Sequence, residues 1–106
     1  MALNFVALLF PKPDRVARVE EIAKKVCEHV HEKEPGVLKY QWFKATGSEK
    51  PLIVVWETYR DQAAVEAHKT SSILAWLVEN DKKEANMAAP ISVIPLKQFA
   101  GWESRP

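Results

Sequence analysis

Three side chains of this 106-residue chain combine a type suited to proton or charge chemistry with a position away from the obvious surface: His68, Asn4 and Glu57. An imidazole, with an unperturbed pKa near ~6.5, is the group best matched to general-base work at neutral pH. His68 closes an alanine-rich helical stretch, Ala64-Val-Glu-Ala-His68; its other reading is a residue that caps or packs that short helix. Asn4 opens an otherwise apolar strand, where a carboxamide is costly to bury unless its hydrogen bonds are met. It either offers its amide to an anionic oxygen or sits at the exposed start of the strand. Glu57 reads as a base or anchor, or as the partner of a neighbouring Arg or Lys at a strand end. Tyr40, Trp42 and Trp56 lie on strand-forming stretches, as flat walls for a bound molecule or as ordinary core. His29 and His31 fall off the apolar stripe of their helix and read as solvated. Two apart on a helix, they cannot share a face, so the three histidines and Cys27 make no metal-ligand set.

The elements that would position these groups follow from periodicity. Asn4 to Phe10 is a continuous apolar run stopped by Pro11 and Pro13, which reads as a buried strand. Asp14 is the expected N-cap of a helix carrying Val16, Val19, Ala23, Val26 and Val30 on one stripe and ending at Pro35-Gly36. Val37 to Lys44 and Leu52 to Tyr59 form an antiparallel hairpin around Thr46-Gly47-Ser48. Asp61 to Lys69 is helical. Thr70-Ser71-Ser72 breaks it and caps a second segment, Ile73 to Glu84, in which Trp76 is core. Met87 to Pro90 reads as a loop and Ile91 to Phe99 as a last strand. Pro95 confines that strand to a sheet edge, because proline cannot donate to a ladder. The order β-α-β-β-α-β predicts an α+β, ferredoxin-like domain with a four-stranded antiparallel sheet.

Length predicts one domain, with its core over about residues 2 to 100 and a tail at 101–106. Charge is balanced, 15 Lys+Arg against 14 Asp+Glu, and interspersed. That leaves no basic stripe for nucleic acid and no polybasic run for a membrane surface. With three glycines the chain lacks a phosphate-binding loop or dinucleotide fingerprint. A lone cysteine fits a reducing compartment. The apolar start has no basic region or cleavage site, and no run approaches the ~20 apolar residues that span a bilayer. The expectation is a soluble, cytoplasmic protein.

Strand parity adds a partner. Leu52, Val54 and Trp56 point one way, and Ile53, Val55 and Tyr59 the other, so both faces of this strand are apolar; the first strand is likewise. Two helical segments cover one face of a four-stranded sheet, and a second copy of the chain is the expected cover for the other.

Three stretches carry a family resemblance. Glu34-Pro-Gly-Val-Leu-Lys-Tyr40 resembles the E-x-G-x-L-x-Y entry to strand two of antibiotic-biosynthesis-monooxygenase domains. Val55-Trp-Glu-Thr-Tyr-Arg-Asp61 is similar to that family's strand-three ending, and Ala64 to His68 to its helix closing with Ala-His. The resemblance implies a dimeric α/β barrel with one pocket per subunit. More loosely, it implies oxidation of a small organic substrate by O2 without metal, haem or flavin. Such chemistry needs an electron-rich substrate once deprotonated, such as an anthrone, a phenolic polyketide or an oxylipin-like ketone, held in a dry pocket. In this family setting His68 and Asn4 become the expected catalytic pair, and Tyr40, Trp42, Trp56 and Glu57 the expected substrate contacts. Haem-degrading members pair a strand-one asparagine with a helical tryptophan and a later iron-binding histidine. His68 stands where that tryptophan is expected and no histidine follows it, which argues against haem. The same pocket is compatible with a non-redox ligand-binding dimer, or with an isomerase or cyclase working by proton transfer alone.

Overall fold

In the computed structural model, which describes residues 2–106, the chain runs β1 (Leu3–Pro11), a 3-10 turn (Pro13–Arg15), α1 (Val16–Lys33), β2 (Val37–Lys44), β3 (Ile53–Tyr59), α2 (Gln62–Lys69), α3 (Ser72–Glu84) and β4 (Met87–Leu96). This is the expected βαββαβ arrangement, its second helical position split into α2 and α3. The four strands form one open antiparallel sheet in the order β2-β3-β1-β4. β4 is an edge strand, as Pro95 requires.

Register decides which side chains can meet. Phe5, Ala7 and Leu9 of β1 lie opposite Glu57, Val55 and Ile53 of β3. Tyr40 and Trp42 of β2 lie opposite the same Glu57 and Val55. Paired residues in an antiparallel sheet share a face, and this face is the one the helices cover. Val19 of α1 packs there with Ala7, Leu9, Ile53 and Val55. Ile22, Val26 and Val30 continue the stripe of α1 and meet Ile73 of α3. Burying each such side chain contributes about 1.5–3 kcal/mol.

The opposite face has no helix. Val6 lies beside Trp56 and Ile94, and Leu8 beside Val54. Phe43, Trp56, Ile94 and Leu96 keep 49, 43, 40 and 38% of their surface exposed. The two-sided apolarity read from strand parity is therefore present, with one side uncovered.

Local chemistry sets the helix boundaries. Asp61 caps α2, its Oδ1 accepting from the Ala64 N–H at 2.9 Å, and Ser71 caps α3 through the Leu74 N–H at 3.3 Å. The start of α1 differs from expectation. Asp14 lies inside the 3-10 turn that follows Pro13, and its side chain makes no cap bond. The stretch Met87 to Pro90 is strand rather than loop: Pro11 pairs with Met87 and Phe10 with Ala89, across two register shifts. Bulges at an edge strand accommodate a residue, Pro90, that an interior strand would reject.

A polar clasp ties the helices to β4. Arg18 holds the Glu84 carboxylate with Nε and a terminal nitrogen, each at 2.8 Å, and Arg15 Nε donates to Asn86 Oδ1 at 2.7 Å. Asn86, 1% exposed, returns a bond to Glu84 at 3.1 Å. The Arg18 bond first, then that of Asn86, push the Glu84 carboxyl down to about 2. A carboxyl depressed on folding stabilises the fold above its unfolded pKa, and that contribution disappears as pH falls toward the folded value. Acid titration between about pH 5 and pH 2 is therefore expected to destabilise the protein, with a shallower loss in Glu84→Gln. Urea midpoints measured across that window check this.

Candidate functional site

The chain brings its proton-handling groups together at one junction, where α1 ends and α2 lies across β2 and β3. Glu34 follows the last turn of α1, its N–H bonded to the Val30 carbonyl at 2.9 Å and its own carbonyl accepting from Val37 at 3.0 Å. The carboxyl group is thereby fixed at the entry to β2. Two residues on, the Gly36 carbonyl accepts from the Arg60 N–H at 2.8 Å. A Cβ on Gly36 would lie 2.6 Å from the Ala64 Cβ, so only glycine lets α2 seat this closely. One turn beyond Ala64, His68 is 6% exposed, and its Nδ1 is 2.7 Å from Glu34 Oε1.

With Glu34 ionised, Nδ1–H donates to the carboxylate and Nε2 is left with a free lone pair. An imidazole oriented by a buried carboxylate is the arrangement that makes a competent general base. Two aromatic rings flank it edge-on or tilted: Tyr40 and Tyr59, each with its centroid 5.5 Å from that of His68. The Tyr59 hydroxyl donates to Glu57 Oε1. Burial pushes the Glu57 carboxyl up, opposed by the Tyr59 bond and the nearby His68 charge. Burial also raises both tyrosines, Tyr40 with the Glu57 charge beside it and Tyr59 with its bond to Glu57. Both phenols therefore stay protonated, as donors, at neutral pH.

These groups form the wall of a cavity of about 210 Å3 between the sheet and α2 and α3, completed by apolar side chains from β1, β3 and β4. A second cavity of about 440 Å3 lies toward α1 and the start of β4. Leu9, Trp42, Leu74, Leu77, Ile91 and Val93 line both, so the two are lobes of one apolar space. Among the described residues, no three His, Cys, Asp or Glu side chains gather in a way that could hold a metal ion.

Of the residues singled out from sequence, His68, Tyr40, Trp42 and Glu57 line the smaller lobe together. Two do not. Asn4 pairs with Thr58 across the ladder, on the uncovered face, and its Oδ1 accepts from the Thr58 hydroxyl at 2.7 Å. Trp56 is on that same face, with Lys39 Nζ 5.4 Å from its ring centroid. Both belong to the parity opposite to the cavity. Glu57 departs from expectation in its partner, which is the Tyr59 phenol rather than a surface cation. Glu34 and Tyr59 were missed as site residues. Glu34 reads in sequence as one more acidic residue at a helix end, although it begins the E-x-G-x-L-x-Y stretch, and only the fold places it against a histidine 34 positions away.

A model of the antibiotic biosynthesis monooxygenase family matches residues 3–76. The chain belongs to that family. The match spans β1 to the first part of α3 and so contains Glu34, Tyr40, Trp42, Glu57, Tyr59 and His68. Among solved structures, the chain is similar to one named antibiotic biosynthesis monooxygenase, at 22% identity and TM-score 0.78, over 92% of this chain and 99% of the other. It is also similar to Rv0793 of Mycobacterium tuberculosis, at 17% identity and TM-score 0.77, over 97% and 100% of the two chains. PA3566 of Pseudomonas aeruginosa gives 20% and 0.79, over 93% and 95%. At these identities the likeness establishes the monooxygenase-family fold. No curated protein matches the chain.

Proposed function

We propose that this protein is a cofactor-independent monooxygenase of a small, mostly apolar and enolisable or phenolic substrate, acting as a homodimer. The observation that carries the reading is the buried Glu34–His68 pair on the wall of an apolar cavity. His68 Nε2 removes a proton from the substrate, and Glu34 stabilises the imidazolium that forms. The Tyr40 phenol, held protonated, donates to the substrate oxygen on which negative charge develops. The resulting carbanion or enolate passes one electron to O2, and the radical pair joins as a substrate peroxide. Loss of the remaining carbon-bound hydrogen as a proton, with O–O cleavage, then gives the ketone. For an anthrone-type methylene the balance is RCH2 + O2 → RC=O + H2O; the substrate supplies all the electrons, and the proton held by His68 leaves in the water.

The apolar lining supports the reading because a dry site strengthens the donor bonds and protects the anion from reprotonation by solvent. The twofold partner fits the uncovered sheet face, where Val6, Leu8, Val54 and Trp56 form an apolar patch of a kind that monomers rarely expose. Isomerisation or cyclisation is the second reading, favoured by the Glu34–His68 pair itself, which needs only a proton-bearing carbon to act on.

The test is oxygen uptake by metal-stripped protein against anthrones, hydroquinones and oxylipin-like ketones, with product mass under 18O2. One O2 consumed per product, with one labelled oxygen retained, is the expected result. A product of unchanged mass would replace the oxygenase with the isomerase. Binding without turnover across the panel would favour a ligand carrier.

A further inference from the structure

The larger lobe of the cavity contains a polar group that the fold leaves without a use. On α3, Ile73, Leu77, Asn80 and Glu84 follow one another at three- and four-residue steps, so Asn80 stands on the inward stripe of the helix. Its amide nitrogen is buried and has no hydrogen-bond partner. An apolar residue there would bury at no such cost, since a buried donor left unpaired forfeits its hydration for nothing.

The other polar residues of the lobe are engaged within the protein. The Asn86 side chain bonds to Arg15 and Glu84, Asp81 Oδ1 accepts from the Asn86 N–H at 3.0 Å, and Lys82 pairs with Glu79 at 3.2 Å. Trp42, which lines both lobes, also has its indole nitrogen buried without a partner. Two unpaired N–H donors thus border the space beyond the one His68 lines, and the remaining walls are apolar.

We propose that the larger lobe is a subsite for the far end of an extended, flat, uncharged ligand carrying a carbonyl-type acceptor, received by Asn80 Nδ2 and the Trp42 indole N–H. This deepens the oxygenase reading by naming the chemistry of its substrate, and rests on that reading only for which end of the ligand meets His68. Shared walls make the two lobes one path, so a ring system can lie along it with its acidic group at His68 and its acceptor at α3. Glu34 and Glu57 disfavour an anionic ligand at the first end, and the apolar walls of the second disfavour any charge.

The experiment compares anaerobic binding of 2-hydroxyanthraquinone with that of 2-hydroxyanthracene, which has the same ring skeleton without carbonyls. Quenching of tryptophan fluorescence is followed in the wild-type protein, Asn80→Leu and Trp42→Phe, with melting of each. Wild type is expected to prefer the quinone, and each substitution to reduce that preference about 3- to 10-fold, as loss of one neutral hydrogen bond does. Asn80→Leu should also melt no lower than wild type, because it removes an unpaired buried donor. Equal weakening of both ligands in Asn80→Leu, an unaltered preference, or no binding of either ligand by wild type would overturn the subsite. No turnover is involved, so absence of oxygen uptake with the preference intact would overturn the oxygenase and leave the subsite standing.

Discussion

His68→Ala is expected to lower turnover by roughly 10²- to 10⁴-fold, the range over which a positioned general base contributes. The effect should fall on kcat more than on KM, because His68 forms one small part of an apolar wall and most ligand contact survives. Glu34→Gln distinguishes a catalytic histidine from a packing one. It preserves the shape of the junction but removes the charge that orients Nδ1–H and stabilises the imidazolium, so turnover should fall by about one to two orders of magnitude. The pH profile provides the second check. Neutral imidazole is the active form of a base, so wild-type activity should fail on the acid side and His68→Ala should lose that limb. Equal turnover in folded His68→Ala would remove the residue from the mechanism, and the Glu34 pair would then be structural.

The other large effect is expected on assembly. Wild-type protein should sediment at about twice the 12.1 kDa chain mass. Trp56→Glu should sediment as a monomer at micromolar concentration. Trp56 is an aromatic side chain near the middle of the uncovered sheet face, and a twofold axis uses each substitution twice. Removing an aromatic anchor and burying an unpaired carboxylate costs at least ~2 kcal/mol per copy, so the dimer dissociation constant should rise by about 10³-fold or more. Thermal stability should then lose its dependence on protein concentration. A wild-type monomer would refute the proposed assembly. It would leave the Glu34–His68 junction unchanged, because both residues come from one chain.

Element order was largely legible because each boundary has its own local signal. Pro11 and Pro13 end β1, Asp61 and Ser71 cap the two helices that follow β3, and Pro95 marks an edge. Asn4 and Trp56 were misplaced for a reason that follows from the same residues. β1 and β3 are apolar on both parities, so sequence shows that two faces are covered without showing which cover is helix and which is another molecule. Only pairing of Asn4 with Thr58 and of Phe5 with Glu57 separates them. Met87 to Pro90 was hidden by the opposite effect. Two register shifts and a proline make an edge strand look like a loop, and its pairing with Phe10 and Pro11 is non-local. Glu34 was quoted as part of a motif but not recognised as chemistry, because a carboxylate at a helix end has a solvated meaning by default.

The contact between Gly36 and Ala64 sets a rule for which sequences can share this site. The pair tolerates one methyl group between them, already held by Ala64. A chain that enlarges position 36 must therefore surrender the methyl at 64, or let α2 ride outward on the sheet. In the second case the helix carries its histidine with it, away from a carboxylate anchored on a different element. The 2.7 Å contact between Glu34 and His68 is thus gauged by two small residues that never touch the ligand, and drift at either one changes acid–base competence before it changes the fold.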